Sequence, residues 1–183
     1  MSQNINVYLI ISSSLNPSSK SINLANKINS IYHKLTENVE LVDLRDYEIP
    51  LCNASTSFSN PSISFLNEKI SNSKGIFVVS PIYNYDLNSS MKALIEGTGQ
   101  SWRNKVVSLA CVGGAHFSYM SPLSFINSLM LDFRCLILPN YVYCTEKDFV
   151  NNHIFNEDIL GRISLLVKQH YSLSNFYSDT NFQ

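Results

Sequence analysis

Short apolar runs alternate with amphipathic stretches along most of this chain. Residues 6–11 (N-V-Y-L-I-I) form a near-continuous apolar run rich in β-branched and aromatic types, the pattern of a strand buried on both faces. A Ser-rich turn follows. Ile22, Ala25, Ile28, Ile31 and Leu35 then recur at spacings of three and four, which predicts a helix. Residues 39–44 predict a second strand, and residues 46–61, with two prolines and many Ser, Thr and Asn, a loop. A helix is expected over 63–71. The clearest buried strand is 75–80 (G-I-F-V-V-S), stopped by Pro81.

The second half repeats the rhythm. A helix is expected over 89–97 with Gly97 as its C-cap, a strand over 105–112 ending at Gly113-Gly114, and a helix over 123–133. A fifth strand over 135–138 ends at Pro139, and a last helix covers 158–170. The expected organisation is a single domain over 1–174 followed by a polar tail, 175–183. Strand and helix thus alternate five times, which predicts an α/β fold with a parallel sheet and helices on both faces. In such sheets ligands bind beyond the carboxyl ends of the strands. That singles out the loops 12–21, 80–90 and 113–122.

Composition narrows the function classes. The 183 residues are 45% hydrophobic and only 15% charged, with Lys+Arg 13 against Asp+Glu 14 and a formal net charge of −1. This excludes a disordered chain and argues against a nucleic-acid partner, which calls for a basic excess. Uncharged groups supply the polarity instead: Ser and Asn together make up roughly a quarter of the residues. Cys52, Cys111, Cys135 and Cys144 lack the C-x-x-C spacing of a zinc or redox site, so the expectation is reduced, structural thiols and no metal. No apolar run approaches the roughly 18 residues of a membrane span, and no signal-peptide pattern opens the chain. A cytoplasmic protein without a membrane span is expected.

The first loop, S12-S-S-L-N-P-S-S-K-S21, contains no glycine. That rules out the Gly-rich dinucleotide and nucleotide-phosphate loops. What remains is a row of hydroxyls at a helix N-terminus, which suits either ordinary N-capping or a bound phosphate. The second loop, S80-P-I-Y-N-Y-D86, places aromatic and amide groups at a strand end. The third, V112-G-G-A-H-F-S-Y119, offers backbone N–H groups at a paired glycine or a plain turn. No Ser/His/Asp or Cys/His constellation is visible, so no catalytic side chain is assigned.

Taken together, the three loops resemble the NAD(P)H-dependent FMN reductases of the flavodoxin-like superfamily. Residues 13–25 (S-S-L-N-P-S-S-K-S-I-N-L-A) overlay that family's G-S-x-R-x-x-S-x-N-x-x-L-A pattern without a gap. Ser80-Pro81-Ile82-Tyr83-Asn84 matches its T/S-P-x-Y-N motif, Trp102 and Lys105 its W-x-x-K, and Gly113-Gly114 its double glycine. The resemblance runs from about residue 6 to 143. It implies a flavodoxin-like three-layer sandwich with a five-stranded parallel sheet of order 2-1-3-4-5. It implies FMN with its 5′-phosphate on Ser14, Asn16, Ser19 and Ser21, Ser12 being counted with them. The isoalloxazine ring would rest on Pro81, Ile82, Tyr83 and Asn84, edged by Gly113 and Gly114. Hydride would pass from NADPH (or NADH) to flavin N5 and on to a small-molecule electron acceptor: a flavin, quinone, azo compound or metal ion. A homodimer or homotetramer is implied as well. Ser13 stands where the family has Gly and Asn16 where it has Arg, and His116 lies near the position of an Arg often found after the double glycine. A flavin-binding electron carrier without nicotinamide activity, or a flavodoxin-like binding module that has lost FMN, fits those departures too.

Overall fold

The structure is a computed structural model that describes residues 7–179. Asn6 of the expected first strand and residues 180–183 of the expected tail lie outside that range. The elements are β1 (Val7–Ser12), α1 (Lys20–Tyr32), β2 (Val39–Asp43), α2 (Pro61–Ser71), β3 (Ser73–Tyr83), β4 (Asp86–Leu87) and α3 (Ser89–Thr98). They continue with β5 (Val106–Gly113), α4 (Leu123–Phe133), β6 (Leu136–Ile137), β7 (Val142–Thr145), β8 (Phe149–Val150), β9 (His153–Ile154) and α5 (Glu157–Asp179).

The parallel sheet runs β2-β1-β3-β5-β6, the expected 2-1-3-4-5 order. Two additions complete it. β4 folds back antiparallel on β3, and the fifth strand position is shared by two segments, since β7 also pairs with β5. Pro139, which lacks a backbone N–H, separates the segments. β6 pairs with Val106 and Val107, and β7 takes up the edge from Ala110 to Gly113.

Residues one apart on each strand feed opposite cores. Leu9, Ile11, Ile76, Val78, Val107 and Leu109 pack against α2, α3 and α4. Tyr8, Ile10, Phe77, Val79, Val106 and Ala110 pack against α1 and α5. Burial on both faces is why these strands read as unbroken apolar runs rather than alternating ones. Cys111, Cys135 and Cys144 are buried within these cores. Burial pushes the Cys135 and Cys144 thiols up to about 12, so they remain protonated and unreactive at neutral pH.

Two glycines serve packing rather than turns. Gly97 is not a cap: α3 runs on to Thr98, and a Cβ at 97 would lie 3.0 Å from Ile63, so its absence lets α2 and α3 approach. A Cβ at Gly75 would collide with Ser174 and come within 2.8 Å of His170, so α5 lies directly over β3. The same contact extends the last helix to Asp179, past the expected end at residue 170. Ser174 is buried there, and Tyr171, Leu173 and Tyr177 pack on the α1/α5 core.

Candidate functional site

β1 carries the chain to the carboxyl edge of the sheet at Ser12. The first loop then closes on itself. The Ser14 hydroxyl accepts from the Asn16 N–H at 3.3 Å, Asn16 Oδ1 accepts from the Ser18 N–H at 2.9 Å, and Ser19 caps α1 by accepting from the Ser21 N–H at 3.1 Å. Ser12, Ser13, Ser14, Ser19 and Ser21 are buried, whereas Asn16 is exposed at the loop tip. The buried Ser12 hydroxyl has no hydrogen-bond partner among the described residues. It lies on the sheet face that α1 covers, and the first turn of α1 carries no acidic residue. An orphaned donor beside an acid-free helix N-terminus fits an anion such as a phosphate.

Two cations stand near this loop. Lys20 is 3.7 Å from Glu146 and so is drawn to the β7 side. Arg45, just past β2, is gripped by Asp43 through Nε and Nη2 and donates through Nη1 to the Pro17 carbonyl at 3.3 Å.

The second loop is a hairpin rather than an open loop. β3 continues through Pro81 to Tyr83, and Tyr83 pairs with Asp86. Asn84 and Tyr85 form the two-residue turn, both left-handed with φ of 51° and 61°, the type I′ geometry that matches strand twist. Pro81 is tolerated inside a central strand for a local reason. The Ser13 N–H donates to the Val79 carbonyl at 2.9 Å, the last ladder bond to the β1 side. Two residues on, Pro81 faces the same side where β1 has left, so its missing N–H breaks no pair.

Asn88, just after the hairpin, joins the first two loops. Its amide donates to the Ser13 carbonyl and to the Ser90 hydroxyl, both at 2.6 Å. Its carbonyl accepts from the Ser13 and Ser80 hydroxyls at 2.6 and 3.0 Å. All four residues are buried. Sequence reading passed over Asn88, whose only signal was the N-S-S entry into a helix. On its outer side the hairpin lines a cavity of about 470 Å³ with Leu87, Lys92, Ser124 and Phe125.

The third loop leaves β5 beside the second, because Pro81 pairs with Val112. Its glycines divide the work. The Tyr143 phenol, from β7, occupies the place a Gly113 Cβ would take and donates to the Ala115 carbonyl at 2.6 Å. A Cβ at Gly114 would meet nothing within 4 Å, so Gly114 faces open space. Neither glycine has positive φ, so the pair is not required by turn geometry. Tyr119 stacks on Tyr141 with ring centroids 4.8 Å apart, and the Tyr141 hydroxyl donates to the Tyr119 carbonyl. Burial, with Tyr119 beside it, pushes the Tyr141 phenol well above its usual range, so it stays a neutral donor. His116 is exposed.

The structure therefore places Ser12, Ser14, Ser19, Ser21, Pro81, Ile82, Tyr83, Asn84, Gly113 and Gly114 along one edge of the sheet, with Asn16 at the outer tip of its loop. This fold defines a flavodoxin-like α/β protein whose first, second and third loops meet at the carboxyl ends of β1, β3 and β5, where ligands bind in such sheets. Residues 7–148 match the NADPH-dependent FMN reductase family, and the chain belongs to that family. It is thus a flavodoxin-like oxidoreductase that uses FMN and NAD(P)H.

Solved structures agree on the fold. RosB with bound 8-demethyl-8-formylriboflavin-5′-phosphate superposes with a TM-score of 0.79 at 18% identity, covering 96% of this chain and 81% of that one. The NAD(P)H:(acceptor) oxidoreductase FerB from Paracoccus denitrificans gives 0.77 at 15%, covering 94% and 98%. An FMN-dependent NADH-azoreductase from Bacillus anthracis, in complex with FMN, gives 0.63 at 12%, covering 92% and 100%. No curated protein sequence matches the chain. Among the described residues no helix is long and apolar enough to cross a membrane.

Proposed function

We propose that this chain, as one flavodoxin-like domain that takes in α5 to Asp179, passes reducing equivalents from NADPH or NADH through bound FMN to a small acceptor: a flavin, a quinone, an azo compound or a metal ion. FMN supplies the hydride and electron chemistry when bound. The protein holds and orients it. Ser12, Ser14, Ser19 and Ser21 offer hydroxyls to its phosphate at the α1 N-terminus, with Asn16 closing the loop tip. Pro81, Ile82, Tyr83 and Asn84 form the ring platform, and Gly114, with Gly113 behind it, leaves the edge open. Arg45 brings a cation to the first loop, on a chain that has Asn16 where the family pattern has Arg.

The observation that carries this reading is the orphaned Ser12 hydroxyl beside an acid-free helix start. A buried donor without a partner costs about 1–3 kcal/mol, which a bound phosphate oxygen recovers. This reading gives no side chain a proton-transfer role, since the cofactor carries the chemistry.

The working form is a homodimer or homotetramer in the cytoplasm; exposed Leu123, Met130 and Leu131 on α4 support the self-association. The deciding experiment is reconstitution of the full chain with FMN, followed by anaerobic mixing with NADPH and with NADH. A flavin spectrum that bleaches on mixing is expected. A colourless protein that takes up no FMN would end the proposal.

A further inference from the structure

The hairpin turn contains a residue that the turn itself disfavours. Both central positions of a type I′ turn need positive φ, for which Asn and Gly are suited. Asn84 meets that need, but Tyr85, at φ 61°, does not. A bulky residue in the left-handed region is strained, and such strain persists where something other than local stability selects it. Core packing does not compensate, because the Tyr85 ring is 66% exposed. The hairpin tip and the third loop leave the sheet side by side, since Pro81 pairs with Val112 two residues before Gly114, and the Tyr85 phenol contributes, behind burial and Cys111, to raising the Tyr143 phenol. Tyr143 is fixed there by its bond to Ala115, beside the open space over Gly114.

We propose that Tyr85 is the specificity-determining ring of the acceptor site, stacking on a planar aromatic acceptor held between the hairpin tip and the Gly114 loop. This rests on the FMN oxidoreductase reading above. An aromatic face favours quinones and azoarenes over compact inorganic oxidants, because offset stacking needs a flat partner. For a quinone the balance is simple: NAD(P)H gives a hydride, solvent gives one proton, and the quinone gains two electrons and two protons to become a hydroquinone.

The test compares FMN-loaded wild type, Tyr85→Gly and Tyr85→Phe. Binding of anthraquinone-2-sulfonate is measured by calorimetry, and turnover is measured with a soluble naphthoquinone and with ferricyanide. Tyr85→Gly should raise the anthraquinone Kd about three- to tenfold. It should lower kcat/KM for the naphthoquinone relative to that for ferricyanide, while Tyr85→Phe keeps the wild-type Kd within about twofold. Tyr85→Gly should also raise the thermal midpoint, since glycine relieves the turn. Equal Kd values in wild type and Tyr85→Gly would overturn the inference. So would loss of FMN from Tyr85→Gly, which would assign the ring to the cofactor. A lost self-association with unchanged Kd would assign it to a second copy and overturn it as well. Failure of the wild type to take up FMN would instead overturn the underlying functional reading.

Discussion

The phenol of Tyr143 fills the volume that a side chain at Gly113 would need, and from there it ties the third loop down at Ala115. Gly113 therefore serves a tyrosine from the neighbouring strand. Gly113→Ala forces Tyr143 out and should destabilise the fold by about 1–3 kcal/mol, the usual cost of overpacking. Tyr143→Phe loses only the hydrogen bond and should cost about 1 kcal/mol. Urea unfolding of the two variants checks both the size and the order of these effects.

Asn88 connects the first two loops through four buried hydrogen bonds. Asn88→Ala leaves the Ser13 carbonyl with only Ser90 and removes the acceptor shared by Ser13 and Ser80. We expect a loss of about 2–3 kcal/mol in stability. FMN affinity should fall with it, because the proposed phosphate loop and ring platform lose their common anchor. Denaturation and FMN titration of the same preparation measure the two effects together. Full stability with unchanged affinity would show that the network does not hold the site.

The sheet was legible because its strands are buried on both faces and its helices are amphipathic. β1, β3 and β5 stand out as apolar runs, and α4 matches its expected bounds of 123–133. What escaped reading depends on contacts between segments distant in sequence. β7 (V-Y-C-T) is a short run that becomes a strand only because β5 extends beyond β6. The continuation of α5 rests on Gly75, about a hundred residues away, which makes room for His170 and Ser174. At the site, the loops stand out as polar segments at strand ends, and the resemblance to the family pattern singles out residues 13–25 and the S-P-x-Y-N segment. Asn88 and Tyr143 do not stand out, because each acts on a carbonyl or hydroxyl that sequence spacing does not reveal.

A substitution at Ser19 separates the proposed phosphate binding from fold stability. The Ser19 hydroxyl caps α1, and Asp is an equally good or better cap that also complements the helix dipole. Ser19→Asp should therefore leave the unfolding free energy within about 0.5 kcal/mol of wild type. The added carboxylate would stand where the FMN phosphate is proposed to sit, and FMN binding should be abolished. Calorimetric titration with FMN checks this. Unchanged affinity would move the phosphate away from the α1 N-terminus.

His170 makes the stability depend on mild acid. Its ring is buried between β3 and β5 on one side and α1 on the other, in edge contact with Tyr32 and Phe77. Nε2–H donates to the Val106 carbonyl at 3.2 Å, which leaves Nδ1 as the acceptor for the Tyr32 hydroxyl. Burial lowers the imidazole to about 4 from its ordinary 6.5. The unfolded chain thus binds this proton between pH 6.5 and about 4, and the native state does not. Stability then rises with pH across that window. The contribution is fully present above pH 6.5 and lost as pH falls to about 4, amounting to roughly 3 kcal/mol. His170→Phe keeps a ring in place, leaves the Tyr32 hydroxyl and Val106 carbonyl without their partner, and removes the titrating group. It should be less stable than wild type at pH 7, yet show a shallower loss between pH 6.5 and 4. Urea midpoints of the two proteins at half-unit pH intervals make the comparison. Parallel pH profiles would mean that carboxylates, not His170, carry the acid sensitivity.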